Sequence, residues 1–278
     1  MPGEAMGLVG ESGCGKSTVA LGVMRDLSNR GKITAGSIKF KGRELTTMSE
    51  KELRKIRGSE IAMVYQEPMA SLNPAMRVGK QLMEVPILHE GTTVDEAYDR
   101  ALEMMQAVRL PDPERMMDSY PHQLSGGQQQ RIVIAMALLS KPALLLMDEP
   151  TTALDVTTQA QILDLIRTLQ KSHGMAVMFI THDFGVVAEI ASRVCVMRHG
   201  KIVELGATES QSYDVGNHSM MFHVPQVSVE HLSRHLLTNV GLLLAILYSG
   251  EAEVLQVSMV TQVTPADDGT LIRSVYNP

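Results

Sequence analysis

The chain has 278 residues, of which 44% are hydrophobic and 20% charged, enough to bury the core of one large domain or two smaller ones. Its 25 basic and 31 acidic residues give a net charge of -6, which argues against nucleic acid as a partner because nucleic-acid binders carry a basic face. Only Cys14 and Cys195 are present, too few for a disulfide framework, so we expect a reducing compartment. The longest apolar run, residues 240–248, is shorter than the ~20 residues of a membrane-spanning helix. A membrane role would therefore need a partner protein.

Short apolar runs alternate with longer segments of helical period, which is typical of a parallel sheet wound with helices. Four runs are nearly unbroken, as strands buried on both faces require, at residues 6–9, 61–65, 144–147 and 175–180. A strand, a tight turn at His199 and Gly200, and a second strand follow at 193–203. The predicted fold class is α/β. Polar residues that follow the four central strands should meet at one edge of the sheet.

Helical segments show apolar stripes that we expect to face the core. One stripe consists of Ala97, Ala101, Met105 and Val108, and a second consists of Val156, Ala160, Leu163, Ile166 and Leu169. Between residues 66 and 124 the strand pattern disappears, and proline, glycine and helical segments replace it. This change predicts a mainly helical insert in the α/β body, at about residues 68–140.

A glycine-rich loop lies between the first strand and a helical segment, which is the context that a phosphate-binding loop requires. Glycines let backbone N–H groups turn towards phosphates, and a helix amino terminus favours an anion. Lys16 is expected to reach the β and γ phosphates of ATP, and Ser17 to hold Mg²⁺. A chance glycine-rich turn explains the spacing less well. The nucleotide-binding residues are predicted to be Gly10, Glu11, Ser12, Gly13, Cys14, Gly15, Lys16, Ser17 and Thr18.

Two acidic residues, Asp148 and Glu149, directly follow the apolar run at 144–147. Two solvated acids at a strand end are common, but a carboxylate beside a buried strand is costly unless it has a use. Beside a phosphate loop, Asp148 suits a Walker B role in Mg²⁺ binding, and Glu149 suits a catalytic base that positions water.

The segment from Ser125 to Gln128 precedes an apolar helical run and fits the Ser-x-x-Gln capping box. A helix cap alone leaves Gly126 and Gly127 unexplained, since each glycine in a helix costs up to ~1 kcal/mol against alanine. Close approach of the backbone to a ligand would account for them. Gln66 and His182 also follow predicted strands, but each is by itself typical of an ordinary structural residue.

Taken together, these segments resemble the ATP-binding-cassette (ABC) ATPases of membrane transporters in order and spacing, over residues 3–206. Residues 65–74 and 120–125 are similar to the ATP-binding proteins of prokaryotic peptide and nickel importers. The resemblance implies a P-loop NTPase fold with a RecA-like parallel sheet. An ABC ATPase domain would span residues 1–209, with the helical subdomain at about 68–140.

The resemblance also implies residue roles. Gln66 would link Mg²⁺ and the attacking water to the helical subdomain, and His182 would contact the γ phosphate. A second ABC subunit, identical or different, would complete each site, because the signature motif grips ATP bound to the opposite subunit. Asp155 would lie at that dimer interface. The signature residues are Ser125, Gly126, Gly127 and Gln128.

Further partners follow from the same resemblance. Transmembrane permease subunits would bind the ATPase at the cytoplasmic face of the inner membrane, and an extracytoplasmic solute-binding protein would act indirectly. The permease and binding protein would choose the solute.

The chain departs from the family pattern in two places. Family members usually have two strands before the phosphate loop, including an aromatic residue that stacks on adenine, whereas this chain starts nine residues before Gly10. We expect the lack of this aromatic residue to weaken nucleotide affinity by about tenfold or more. Residues 210–278 match no importer segment, and we predict a small α+β appendage there. Its histidines have irregular spacing and predict no metal site.

Two alternatives stay open. A soluble ABC ATPase of DNA repair or translation would show a basic surface, a long coiled-coil or zinc insertion, or two cassettes. A truncated nucleotide-binding fragment without efficient turnover would fit the missing first strands and the unmatched tail.

Overall fold

The computed structural model describes residues 3–27, 31–151, 154–208, 242–245 and 255–261. A 3₁₀ turn at Pro121–Gln123 precedes the signature segment. The other elements in these ranges are, in chain order, β1 (Ala5–Gly10), α1 (Lys16–Met24), β2 (Ala35–Phe40), β3 (Arg43–Glu44), α2 (Glu50–Ile56), β4 (Ile61–Val64), α3 (Pro68–Ser71), α4 (Val78–Glu90), α5 (Val94–Ala107), α6 (Pro113–Met117), α7 (Gly126–Leu139), β5 (Leu144–Asp148), α8 (Val156–His173), β6 (Ala176–Ile180), α9 (Phe184–Ile190), β7 (Arg193–Arg198), β8 (Lys201–Ala207), β9 (Leu242–Ala245) and β10 (Leu255–Thr261).

Six strands form the central sheet in the order β4–β5–β6–β1–β7–β8. The first five are parallel to one another, and β8 runs antiparallel to β7. The four predicted central strands are therefore all present, and the hairpin turns at His199 and Gly200 as expected. The α/β fold class is confirmed.

The two faces of the central sheet bury separate cores. Along β5, Leu145 and Met147 join one core, while Leu144 and Leu146 join the other. This alternation follows from the period of two in a strand, and it explains the unbroken apolar sequence. The first core includes residues of α7, α8 and α9, and the second includes residues of α1, α2 and β2. Each fully buried leucine stabilises the fold by roughly 1.5–3 kcal/mol.

The segment between β4 and β5 is helical and contains α3 to α7, from Pro68 to Leu139. The predicted stripe of α5 is buried, and Ala97, Ala101 and Met105 are fully inaccessible to solvent. Helices α4, α5 and α7 pack against one another, and α7 also contacts β4. The insert therefore packs directly on β4, the edge strand of the central sheet. Its status as a separate subdomain at about 68–140 stays a prediction.

The predicted stripe of α8 is only partly correct. Leu163 and Ile166 are buried, but Val156 is 82% exposed and Ala160 is also exposed. The helix begins at Asp155, an exposed cap, and its first buried residue is Ile162. The apolar stripe of the sequence thus begins about two turns before its first buried residue, Leu163.

A second sheet, which the sequence pattern does not predict, has the antiparallel order β3–β2–β10–β9. Ile38 and Phe40 of β2 are completely buried, but the intervening Ser37 and Lys39 shorten the apolar signal. Strand β10 pairs with all six residues of β2, and β9 pairs with β10, so two strands from within residues 210–278 join this sheet. The division into domains at residue 209 stays a prediction. In the described parts of the chain, no helix has both the length and the apolar character to cross a membrane.

Candidate nucleotide-binding site

The glycine-rich loop connects the end of β1 to the start of α1, as predicted. Gly15, the residue before α1, has a φ of 103°, in the left-handed region that favours glycine. A Cβ added to Gly10 would lie 2.2 Å from the carbonyl oxygen of Met197, so any side chain there is excluded. The turn into the helix and the close contact with β7 thus account for two of the glycines.

Lys16 lies across the loop and is 94% buried, with a relative exposure of 6%. Its Nζ donates hydrogen bonds to the carbonyl oxygens of Gly10, at 2.8 Å, and of Glu11, at 3.0 Å. A buried ammonium requires such partners, because an unpaired buried charge is costly. Its charge is therefore held inside the curve of the loop, at the amino terminus of α1.

The hairpin turn between β7 and β8 supports the phosphate loop from outside. The Gly200 N–H donates to the carbonyl oxygen of Cys14 at 2.9 Å, and the Cys14 N–H donates to Glu11 at 3.2 Å. Cys14 itself is buried and fills the space beside Gly10. The sequence predicted the turn but not this contact, because nothing in a hairpin's own residues indicates which loop it will touch.

Asp148 ends β5 as a buried carboxyl, 5% exposed. Burial raises the pKa of Asp148, a hydrogen bond from the Ser17 side chain opposes that rise, and the nearby Glu149 adds to it. In the described residues, the Oδ1 atom of Asp148 is buried without a hydrogen-bond partner. A buried acceptor left unpaired costs about 1–3 kcal/mol, and a bound cation would remove that cost.

Glu149 brings together two residues that are distant in sequence. Its backbone has a φ of 47°, and its N–H donates to the carbonyl oxygen of Ile180 at 2.8 Å. One carboxylate oxygen, Oε2, accepts from the Gln66 side-chain amide at 3.3 Å, and the other, Oε1, lies 3.3 Å from Nδ1 of His182. The predicted ends of β4, β5 and β6 therefore meet at one carboxylate. A non-glycine residue in the left-handed region costs on the order of 1–3 kcal/mol, and here it aims that carboxylate.

The signature segment begins α7 with the predicted capping box. The Gln128 N–H donates to Ser125 Oγ at 3.3 Å, and the Ser125 N–H donates to Gln128 Oε1 at 2.9 Å. Gly126 is exposed, and a Cβ added there would meet no atom within 4 Å. The cap thus explains Ser125 and Gln128, whereas packing within the chain does not explain Gly126.

Asp155 caps the start of α8. Its Oδ1 accepts from the Thr158 N–H at 3.0 Å, and its Oδ2 accepts from the Thr158 hydroxyl at 2.7 Å. The backbone hydrogen bond first, and the hydroxyl second, lower the pKa of Asp155. This local role was not recognised from the sequence, although an Asp three residues before Thr158 fits a helix cap. Its role at a dimer interface stays a prediction.

A family model described as ABC transporter matches residues 1–152 of the chain. The chain belongs to the ABC transporter family. It is 54% identical over 203 residues to a probable peptide ABC transporter ATP-binding protein of Sinorhizobium fredii, a match that covers 73% of this chain and 61% of that relative. It is 50% identical over 213 residues to the oligopeptide transport ATP-binding protein OppD of Bacillus subtilis, covering 76% of this chain and 60% of OppD. The chain thus spans about three fifths of the length of these ABC relatives.

A solved ABC structure has the same fold. The ATP-binding cassette MJ0796, a dimer in a post-hydrolysis state with bound ADP and Pi, superposes with a TM-score of 0.69 at 30% sequence identity. The match covers 76% of this chain and 88% of that chain. The predicted P-loop NTPase fold and the resemblance to ABC ATPases are therefore confirmed.

Proposed function

We propose that the chain binds ATP with Mg²⁺ and hydrolyses it to drive solute import, of the peptide class, through partner membrane permease subunits. The observation that carries the proposal is the position of Glu149 between Gln66 and His182, next to the buried Asp148. The names of the ABC relatives, which are peptide and oligopeptide transport ATP-binding proteins, support the peptide class.

In this proposal, Glu149 accepts the proton of the attacking water. Its carboxylate is held from one side by the Gln66 amide, so its lone pairs have a fixed direction. Nδ1 of His182, whose side chain is 65% exposed, contacts the same carboxylate. In the proposal, its other ring nitrogen contacts the γ phosphate. Lys16 exchanges its bonds to the loop carbonyls for bonds to the β and γ phosphates.

The residues present fit a magnesium ion. Ser17 and Asp148 are already hydrogen bonded, and Oδ1 of Asp148 is buried without a partner in the described residues. Together with Gln66 they offer hydroxyl, carboxylate and amide oxygens, the hard ligands that Mg²⁺ prefers. Bound Mg²⁺ would neutralise charge on the β and γ phosphates.

A second ABC subunit is part of the proposed site. Ser125, Gly126, Gly127 and Gln128 lie at the exposed start of α7, and Gly126 leaves open space beside the backbone. That space would admit ATP bound to the second subunit, with Asp155 at the same interface. The dimeric form of the MJ0796 cassette supports this arrangement.

The permease is proposed to dock beside Gln66. The segment that follows Gln66 forms the short helix α3, and its Met69 is 49% exposed, which offers an apolar contact next to the catalytic glutamine. The chain would thus work at the cytoplasmic face of the inner membrane as a peripheral subunit. An extracytoplasmic solute-binding protein would take part only indirectly.

The test is a titration with a fluorescent ATP analogue together with an assay of phosphate release. Lys16→Ala removes the buried ammonium of the loop and is expected to abolish binding and turnover. Lys51→Ala, which removes an exposed cation from α2, is the control and should change neither. Equal affinity of the wild type and Lys16→Ala would overturn the proposal.

A further inference from the structure

The loop that follows Gln66 is held by one buried side chain. Gln81 lies in the first turns of α4 and is only 4% exposed. Its Oε1 accepts from the Asn73 N–H at 2.8 Å, and its Nε2 donates to the carbonyl oxygens of Asn73, at 3.0 Å, and Met76, at 2.9 Å. A buried amide with three backbone partners fixes those groups, because leaving any of them unpaired is costly.

A second buried glutamine holds the loop before the signature segment in the same way. Gln129 lies on α7, one residue after the capping box, and is 6% exposed. Its Nε2 donates to the carbonyl oxygens of Pro121, at 2.8 Å, and Leu124, at 3.0 Å. Leu124 directly precedes Ser125, so this bond places the start of the signature segment relative to α7.

The two loops are also bonded directly to each other. The Val78 N–H donates to the carbonyl oxygen of Ser119 at 2.9 Å, which joins the start of α4 to the residues before the 3₁₀ turn. One residue away on each side, the Arg77 guanidinium lies 2.6 Å from the carboxylate of Asp118. Helices α4 and α7, which carry the two buried glutamines, pack against each other.

We infer that Gln81 and Gln129 are positioning residues that make the loop after Gln66 and the loop before Ser125 move as one unit. A displacement at Gln66 is then carried through residues 73–78 and 118–124 to the start of the signature segment. The inference rests on the proposed ATPase function, in which Gln66 serves the site of its own subunit and Ser125 serves the site of the other. A change at the ATP site of one subunit would then reach the signature segment that serves the ATP site of the other subunit.

A double-mutant cycle on ATP turnover by the full chain tests the coupling. Gln81→Met and Gln129→Met each remove one clamp and should each lower kcat about tenfold, with the KM for ATP changed by less than about twofold, because residues 10–17 keep their own bonds. If the two act as one unit, the double variant should be no slower than about tenfold. A loss of about a hundredfold, the product of two independent effects, would overturn the inference.

Gln170→Met is the matched control. Gln170 is another buried glutamine, 9% exposed, whose Nε2 donates to a backbone carbonyl, that of Gly3, at 2.7 Å. Gln170 lies on α8 and bonds neither loop. Its replacement should lower thermal stability, as should replacement of Gln81 or Gln129, because each leaves a buried carbonyl unpaired, but it should leave kcat within about twofold. An equal drop in kcat would mean that turnover follows stability alone, and would refute a positioning role.

Amide hydrogen exchange tests the same unit without turnover, and so separates failure of the coupling from failure of the proposed function. Gln81→Met should speed exchange in residues 72–78 and also in residues 119–125, whereas Gln170→Met should change neither segment. Arg77→Met removes an exposed link between the same segments without opening a cavity, and should speed exchange in both even if the Gln81 variant does not fold. Faster exchange confined to 72–78 would overturn the inference.

Discussion

The side-chain amide of Gln66 lies 3.3 Å from the carboxylate of Glu149, although the two residues are 83 positions apart. The contact forms because β4 and β5 are parallel neighbours whose carboxyl ends finish side by side. This hydrogen bond orients the carboxylate of Glu149, as its proposed role as general base requires.

Glu149→Gln is expected to lower ATP turnover by at least about a hundredfold, because an amide of the same shape cannot accept the proton. ATP should still bind, so a long-lived dimer should accumulate, visible as a doubled mass in light scattering. Glu103→Gln, at an exposed position of α5, serves as the control and should behave like the wild type. Unchanged turnover in the Glu149 variant would remove Glu149 from the proposed mechanism.

Asp148→Asn should separate stability from Mg²⁺ binding. Burial raises the pKa of Asp148, so this carboxyl lowers the free energy of unfolding as the pH rises above its ordinary value of 3.8. A neutral amide should therefore raise the melting temperature by about 2–4 °C at neutral pH. The gain should be complete above the raised pKa and vanish only as the pH falls below the ordinary value of 3.8, where Asp148 is neutral in both the folded and the unfolded chain. Mg²⁺ should no longer stabilise the variant in a thermal melt. Asp164→Asn, on the exposed face of α8, controls for the change of net charge, and a lower melting temperature for Asp148→Asn would contradict the argument.

Gly126→Ala should leave the folded chain intact yet stop efficient turnover. A Cβ at this position meets nothing within the chain, and alanine is favoured over glycine in a helix by up to about 1 kcal/mol, so the melting temperature should stay the same or rise. If ATP of a second subunit approaches the backbone here, phosphate release should fall at least about tenfold. Normal phosphate release would show that this space is not used.

Glu44 should make the free energy of unfolding fall as the pH is lowered. Burial alone would raise its pKa, but hydrogen bonds from Ser37, Ile38 and Thr46 outweigh burial and lower the pKa of Glu44 to about 2. A lowered pKa in the folded state gives stability that is complete above the ordinary value of 4.5 and is lost as the pH falls towards 2. Glu44→Gln should therefore cost about 1–2 kcal/mol at pH 7, after allowance for solvent screening, and almost nothing near pH 2. Urea unfolding at both pH values measures this, and a difference independent of pH would contradict the assignment.

The sequence predicted the strands of the central sheet, and the meeting of polar residues at their ends, because both follow from local patterns and from parallel pairing. An unbroken apolar run followed by a polar residue indicates a buried strand and the site at its end, as at Met147 and Asp148. Strand β2 was missed because its alternating polar residues, with glycine near its start, resemble a loop. The pairing of β10 with β2 joins segments more than 200 residues apart, and no periodicity encodes such a pairing.

The burial pattern of α8 and the contacts of Gln81 and Gln129 also could not be predicted from the sequence, because both depend on tertiary packing. Val156 begins an apolar stripe in sequence, yet it lies about two turns before Leu163, the first buried residue of that stripe. Gln81 and Gln129 are ordinary polar residues of helices until the backbone carbonyls of other loops are placed beside them. The residues near each glutamine in sequence predict a helix, but only the tertiary structure determines which side-chain amide becomes buried and bonded.

The first strand of the chain lies in the middle of the sheet, between β6 and β7, and its loop is bonded to the turn that follows β7. During synthesis the phosphate loop leaves the ribosome before residues 193–200, so the pairing of β1 with β7 and the Gly200 contact form only after those later residues have emerged. Contacts between such distant residues form slowly, since the intervening chain must first be ordered. If the chain binds ATP as proposed, ATP would stabilise the folded domain only after β7 and the Gly200 turn have joined the phosphate loop.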